Sequence, residues 1–288
     1  MLGNFDYVKP KTLTEALEYL DRHGPESKLM AGGTDLLVLV RRNLAMPAHL
    51  VDVKGIAETG RLEFIPGQGL FIGASVTVNE VAGSEAVKER YPALAQAAGS
   101  LASHQLRNRA TLVGNICNAS PGADLAPPLL VFEAVVHMVS LLGSRMVPVA
   151  EFFTGVKKTV LRPEEMVIGV SLPEPPPGDR SLYLKQARIK GHDLGIVGVA
   201  ARLTGEKRFC LAMSAVAPTP IRLFQLEQTL NAQPLSPALA ERAGEEARRW
   251  IHPISDVRSS AEYRTHVAGV LVKRAVARLI SGEGTYDA

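Results

Sequence analysis

The sequence predicts an α+β protein built of two successive domains, and three observations carry that prediction. Short apolar runs alternate with helical segments over about residues 1–54. A proline-rich segment, residues 173–178, then interrupts the chain, and three extended runs followed by helical segments come after it. Alternating strands and helices form layered α/β units, whereas successive strands form an antiparallel sheet that helices cover. We therefore expect domains over residues 1–173 and 179–288, the first divided into subdomains at about residues 1–54 and 55–173.

The N-terminal segment reads as a β-α-β-α-β unit. Thr12 and Glu15 have the spacing of a capping box, and Gly24 is placed to end the helix that follows. A strand at residues 28–30 leads into a glycine pair, a second helix is expected from Asp35 to about residue 42, and residues 50–53 form the next strand.

The middle segment has a different pattern. Residues 62–65 and 70–72 predict two strands around a Pro-Gly-Gln-Gly turn, and Thr77 and Glu80 form a second capping box. An alanine-rich helix is expected over residues 91–106, and another runs through Phe132. Alternating residues predict strands at 135–140 and 145–149 with a turn at Gly143 and Ser144, and a short helical piece starts at Glu151.

The last segment begins after the proline-rich linker. Extended runs at residues 181–189, 195–203 and 210–217 predict an antiparallel sheet. A capping box at residues 259–262 opens a C-terminal helix. The apolar face of that helix is predicted to be Tyr263, Val267, Val270 and Leu271.

Composition excludes several classes of protein. The net charge of +3 is spread along the chain, and the short basic pairs, Lys157 with Lys158 and Arg248 with Arg249, are interpreted as solvated faces, so we expect no nucleic-acid partner. The sequence has no signal peptide and no apolar run long enough for a membrane span, which favours a cytoplasmic protein. Two cysteines cannot hold an iron–sulfur cluster by themselves, and the histidines lack metal-ligand spacing. We assign no metal ligand and no catalytic residue.

Two loops contain groups that are suited to binding a ligand. Residues 31–36, Ala-Gly-Gly-Thr-Asp-Leu, follow a strand and precede a helix, with Thr34 and Asp35 as candidate helix caps. Two adjacent glycines let a phosphate approach the backbone N–H groups closely. The second loop lies within residues 107–116 and offers a hydroxyl, a glycine and an amide in Thr111, Gly114 and Asn115. Further on, Asp124 either caps the next helix or accepts hydrogen bonds from the hydroxyls of a ligand.

These loops carry a resemblance to a known family. Residues 31–36, 111–115 and 119–124 are spaced as in the FAD-binding middle subunits of molybdenum hydroxylases, and residues 256–264 are similar to the C-terminal domain of that family. The group includes the carbon monoxide dehydrogenase medium subunit and the flavin domain of xanthine dehydrogenase. The resemblance implies a PCMH-type FAD-binding domain of two α/β subdomains, followed by a C-terminal domain with an antiparallel sheet and a helical bundle.

The resemblance also implies which residues contact FAD, held noncovalently between the first two subdomains. The implied contacts are Leu29, Met30, Ala31, Gly32, Gly33, Thr34, Asp35, Leu36, Leu101, Thr111, Val113, Gly114, Asn115, Asp124, Val167, Ile168, Lys185 and Leu194. Val113 stands where the family often has a glycine, so its side chain must point away from the cofactor or the loop must shift. His104 is interpreted as a surface residue rather than a covalent flavin attachment, and His192 as a polar loop residue.

The function implied is electron transfer within an oxidoreductase complex. The resemblance implies a large subunit with a molybdenum cofactor, a small subunit with two [2Fe–2S] clusters, a dimer of heterotrimers, and an acceptor such as NAD or a quinone. Two alternatives remain open: a free-standing FAD-dependent oxidoreductase of the same superfamily, and a nucleotide-binding module without catalysis, which would be colourless.

Overall fold

A computed structural model describes residues 4–189 and 193–282. The N-terminal unit is a three-stranded parallel sheet in the order β1-β3-β2. Its elements are β1 Asp6–Val8, α1 Leu13–His23, β2 Ser27–Met30, α2 Leu36–Arg41 and β3 His49–Asp52. This confirms the β-α-β-α-β prediction. Met30 pairs with Asp52, so the glycine loop leaves the carboxyl edge of the sheet beside the end of β3.

Local hydrogen bonds at the first two helices correct two sequence expectations. Thr12 accepts from the N–H of Glu15 at 3.2 Å, but the Glu15 carboxylate accepts from the N–H of Lys11 at 2.8 Å, so the capping box is only half formed. Asp35 occupies the N-cap position of α2 without capping it, because its backbone is already helical. A side-chain cap needs an extended backbone. Predicting Thr34 or Asp35 as the cap was therefore wrong.

The middle unit is a five-stranded antiparallel sheet in the order β4-β5-β10-β6-β7, with a separate β8–β9 hairpin. Its strands are β4 Leu62–Ile65, β5 Gly69–Gly73, β6 Val135–Ser140, β7 Gly143–Pro148, β8 Phe153–Gly155, β9 Lys158–Thr159 and β10 Met166–Leu172. Its helices are α3 Val78–Gly83, α4 Glu85–Arg90, α5 Pro92–Ser100, α6 His104–Arg107, α7 Leu112–Cys117, α8 Ala126–Val131 and α9 Val149–Phe152.

Three predicted features of this unit differ in detail. The expected helix over residues 91–106 is two helices, α5 and α6, because Ala102 between them has φ +47°. Strand β7 begins at Gly143, so the hairpin turns at Leu141 and Leu142 rather than at Gly143 and Ser144. Helix α9 ends at Phe152 instead of starting at Glu151.

The C-terminal unit confirms the antiparallel sheet, in the order β11-β12-β13-β14. Its elements are β11 Arg180–Gln186, β12 Val197–Leu203, β13 Phe209–Ser214, β14 Ile221–Arg222, α10 Phe224–Asn231, α11 Pro237–Ala247 and α12 Ala261–Ser281. Ser260, not Ser259, caps α12. In its predicted apolar face, Tyr263 is exposed and Val270 only half-buried, because the buried stripe starts at Arg264 instead.

The C-terminal sheet is buried on both faces, which joins the two domains. Tyr183 and Ala200 face the core of the middle unit, whereas Val199 and Ala201 face the helices that follow the sheet. Successive residues of a strand point to opposite faces, so one strand contributes to both cores. Backbone N–H groups add to this contact, since Tyr183 donates to Oε1 of Gln96 on α5 at 2.7 Å.

Within residues 4–189 and 193–282, no helix combines the length and apolar character that a membrane span requires.

Thr77→Ala tests the capping box of α3. The Thr77 hydroxyl accepts from the N–H of Glu80, and the Glu80 carboxylate accepts from the N–H of Thr77. Losing this reciprocal cap is expected to lower the free energy of unfolding by about 1 kcal/mol in urea denaturation. Ser84→Ala is the matched control, because Ser84 is at the N-cap of α4 without a side-chain hydrogen bond. Equal losses in the two variants would contradict this role for Thr77.

Candidate functional site

The first glycine loop presents bare backbone. Gly33 has φ +73°, in the left-handed region that favours glycine, and its carbonyl accepts from the N–H of Leu37 at 2.9 Å. Among the described residues, the N–H groups of residues 32–35 donate no hydrogen bond. Unpaired N–H groups that follow one another in a loop are what an anion binds.

An ion pair between the half-buried Lys54 and the buried Asp52 fixes where this loop begins. The ammonium of Lys54 donates to the carbonyl of Ala31 at 2.8 Å and to Oδ1 of Asp52 at 2.7 Å. The Tyr7 hydroxyl donates to Oδ2 of Asp52 at 2.6 Å. Burial opposes the charge of Asp52, but these hydrogen bonds outweigh it and hold the pKa of that carboxyl below its usual range. Sequence reasoning missed Lys54. Its position just after a strand that ends in an aspartate could have indicated this ion pair.

The second loop is shorter than expected, because α7 begins at Leu112 and Gly114 and Asn115 therefore lie in a helix that Thr111 caps. The Thr111 hydroxyl accepts from the N–H of Gly114 at 3.0 Å, and Thr111 pairs with Thr77 in an isolated bridge. Val113 is only 4% exposed and belongs to the core of the middle unit. Its side chain therefore points into the protein, and at this position only backbone atoms are available to a ligand.

The two loops are in direct contact through Gly32. A Cβ on Gly32 would overlap the carbonyl oxygen of Arg109 and lie 3.0 Å from Cα of Ala110. The carbonyl of Ala110 in turn accepts from the N–H of Val78 at 2.8 Å, which anchors the second loop to the capped start of α3. The structure thus brings together the two loops that the sequence singled out about 80 residues apart.

Asn115 carries an unsatisfied acceptor. Its Oδ1 is buried and has no hydrogen-bond partner among the described residues. A buried polar atom without a partner costs free energy, and such atoms are rare in folded proteins. A ligand that donates an N–H or O–H at this point would satisfy it.

Asp124 is part of a buried ion pair and does not cap α8. Leu125 occupies the N-cap position of that helix, and no side chain caps it. The Asp124 carboxylate instead accepts from Nζ of Lys185 at 2.9 Å and from the Tyr183 hydroxyl at 2.8 Å. Both side chains of the ion pair are less than one-tenth exposed. The cap interpretation is therefore wrong, and the role of Asp124 as a ligand contact stays a prediction.

This pair extends into a short polar chain. Lys185 also donates to the carbonyl of Ser100 at 3.3 Å, next to Leu101, and Ser214 is a hydrogen-bond partner of the Tyr183 hydroxyl. Burial raises the pKa of Asp124, and Lys185 opposes that rise. Burial, together with the nearby Asp124 charge, raises the pKa of Tyr183 well above its usual value. Tyr183 and Ser214 are further members that the sequence did not indicate.

The other predicted contacts lie on different elements. Met30 ends β2, and its Sδ is 3.4 Å from the position of a Cβ on Gly33. Val167 is buried in β10, and Ile168 lies at an irregularity in the pairing of β10 with β6. Leu194 is 56% exposed. Leu29 packs against the N-terminal core, Leu36 begins α2, and Leu101 is buried after α5. His192, interpreted as a loop residue, lies outside the described residues.

Comparison with known proteins assigns the chain. A model of the FAD-binding domain in molybdopterin dehydrogenases matches residues 3–175, and a model of the CO dehydrogenase flavoprotein C-terminal domain matches residues 182–279. The chain belongs to this family. As the resemblance implied, it is an FAD subunit of the xanthine dehydrogenase and CO dehydrogenase type, and its relatives are subunits of oxidoreductases.

Individual relatives match the FAD subunit along nearly its whole length. The xanthine dehydrogenase FAD-binding subunit of Escherichia coli is 32% identical and covers 96% of this chain and 97% of its own. The carbon monoxide dehydrogenase medium chain of Afipia carboxidovorans is 30% identical, with 96% of each chain covered. Among solved structures, reconstituted CO dehydrogenase from Oligotropha carboxidovorans matches with a TM-score of 0.92 at 29% identity, over 98% of this chain and 99% of that one.

Lys185→Met tests the buried pair. It would leave the Asp124 carboxylate buried without a cation, so we expect a loss of about 3 kcal/mol in the free energy of unfolding at neutral pH. The native pKa of Asp124, already raised by burial, would rise further above its unfolded value. Native Asp124 then takes up a proton more readily than the unfolded chain does, so the loss should shrink as pH falls.

The measurement is urea denaturation at pH 7 and pH 5. Lys273→Met is the control, since Lys273 pairs with Glu241 on the surface, where such pairs contribute about 0–1 kcal/mol. A deficit for Lys185→Met that is the same at both pH values would rule out the unpaired carboxylate as its cause.

Proposed function

We propose that this subunit holds FAD noncovalently between its two glycine loops and relays electrons within a molybdenum hydroxylase complex. The single observation that supports this most is the contact of Gly32 with the backbone at Arg109 and Ala110, since it brings the unpaired N–H groups of the first loop next to the second loop. The family assignment supplies the identity of the ligand.

The residues present fit such a cofactor. The unpaired N–H groups of residues 32–35 are suited to a diphosphate, and the orphaned Oδ1 of Asn115 is suited to a ribityl or ribose hydroxyl. The other proposed contacts are those implied by the resemblance, with Val113 restricted to backbone atoms. When bound, FAD supplies the electron-accepting and electron-donating chemistry, and the chain supplies binding, orientation and charge.

The proposed role of this chain is electron relay, and no substrate site is proposed in it. The proposed partners are a large subunit with the molybdenum cofactor and a small subunit with two [2Fe–2S] clusters, in a dimer of heterotrimers in the cytoplasm. NAD or a quinone is the proposed acceptor. Relatives support the complex, because the proteins of Escherichia coli and Afipia carboxidovorans that are 32% and 30% identical to this chain are named a xanthine dehydrogenase subunit and a carbon monoxide dehydrogenase medium chain.

The test is flavin reduction by the chain alone and by the complex that it forms with its partner subunits. After addition of FAD without oxygen, dithionite should bleach the visible flavin absorbance of the isolated chain, whereas xanthine, nicotine and carbon monoxide should not. Bleaching by one of these substrates would favour a free-standing oxidoreductase. A chain that stays colourless after FAD addition and gel filtration would favour a module without flavin. The purified complex should contain molybdenum, iron and FAD.

Gly32→Ala tests the contact between the two loops directly. The added Cβ overlaps the carbonyl of Arg109, so the loops must separate, and FAD affinity should fall by about tenfold or more, which corresponds to about 1.4 kcal/mol. Equilibrium dialysis measures it. Gly99→Ala is the control, because Gly99 on α5 has no heavy atom within 4 Å of the added Cβ. Unchanged affinity in Gly32→Ala would mean that FAD does not bind between these loops.

A further inference from the structure

Lys157 is held at the tip of the β8–β9 hairpin in a constrained conformation. Its φ of +59° is in the left-handed region, which non-glycine residues seldom adopt, and its N–H donates to the carbonyl of Ala119 at 2.9 Å. The sequence suggested only a solvated basic pair, Lys157 with Lys158. The structure instead fastens the first of the two lysines to the segment that follows α7.

The side chain of Lys157 is fixed as well. Its Nζ donates to Oδ1 of Asn118 at 2.8 Å, at the end of the helix that the second glycine loop begins. Partial burial lowers the pKa of Lys157, and the carboxylate of Asp35 opposes that change through its charge. The ammonium group is therefore in contact with the end of α7, and the charge of Asp35 in the first loop acts on it.

The first loop itself contains no positively charged side chain that an anion could bind. Its unpaired N–H groups are neutral donors, and Asp35 in the same loop has a carboxylate side chain. Lys54, the other lysine at this loop, is already paired with Asp52 and the carbonyl of Ala31. A lysine has three N–H donors, and within the described part of the chain Lys157 uses one of them, on Asn118.

We propose that Lys157 binds the diphosphate of FAD, supplying a positive charge to the first loop from its position beside Asn118 at the end of α7. This rests on the proposed function, because it requires FAD between those loops. A charge-assisted hydrogen bond from an ammonium to phosphate is stronger than one from a neutral N–H. Asn118 is a positioning residue in this arrangement, since it directs the ammonium.

The experiment measures FAD affinity of the flavin-free full chain by calorimetry, at low and at high salt. Lys157→Met should weaken binding roughly tenfold at low salt, the size expected for one lost charge-assisted hydrogen bond. It should also reduce the salt dependence of binding, because screening acts on the charge that was removed. Lys157→Arg should bind within about threefold of the unchanged chain, since it keeps the charge.

Lys158→Met is the matched control, one residue further along the same exposed hairpin, and it should stay within about twofold of the unchanged chain. The proposal is overturned if Lys157→Met binds as well as Lys158→Met, if Lys157→Arg is as weak as Lys157→Met, or if the salt dependence is unchanged. Urea denaturation of the flavin-free variants separates lost binding from lost folding. If the unchanged chain itself binds no FAD, the proposed function fails, whereas normal binding by Lys157→Met removes only the role of Lys157.

Discussion

The buried carboxylate of Asp124 is the constraint on which the joining of the two domains depends. A carboxylate out of water must be paired, and its partners, Lys185 and Tyr183, both come from β11 across the domain boundary. The neighbouring strand is adapted to this pair. A Cβ on Gly198 would collide with the hydroxyls of Tyr183 and Ser214, and one on Gly195 would lie 3.4 Å from Asp124. A single buried charge therefore restricts side-chain size at Gly198 in β12 and at Gly195 just before it.

Packing alone does not require an ion pair at this position. Apolar side chains of similar volume often stabilise a core as well as a buried pair does, because desolvation offsets the attraction between the charges. The contribution of the pair here is to fix the register of β11. A shift of β11 by one residue would turn Lys185 to the opposite face of the sheet and leave Asp124 without its cation. The network thus permits one alignment of the C-terminal sheet against α5 and the segment before α8.

Sequence reasoning found part of the local chemistry, and it found none of the pairings between distant residues. The capping box at Thr77 and both glycine loops were found because their hydrogen bonds and backbone freedom involve adjacent residues. Asp35 was misjudged as a cap because its backbone conformation follows from the turn at Gly33, which a capping pattern does not report. Asp124 and Lys185 are 61 residues apart, and the resemblance indicated each as a cofactor contact without indicating that they bind each other. Burial, which decides that pairing, is a property of the assembled fold.

The same distinction explains why a glycine motif does not by itself predict how tightly an anion binds. Glycines remove side chains and leave neutral N–H donors, but the charge around those donors is set by residues from other segments. In this chain Asp35 is a carboxylate within the first loop, and the nearby Lys54 is paired with Asp52 at the end of β3. A cation fastened to a separate hairpin, Lys157, reaches the helix of the second loop instead. A glycine motif therefore provides only the space and the N–H donors for an anion. The charge around those donors depends on tertiary contacts.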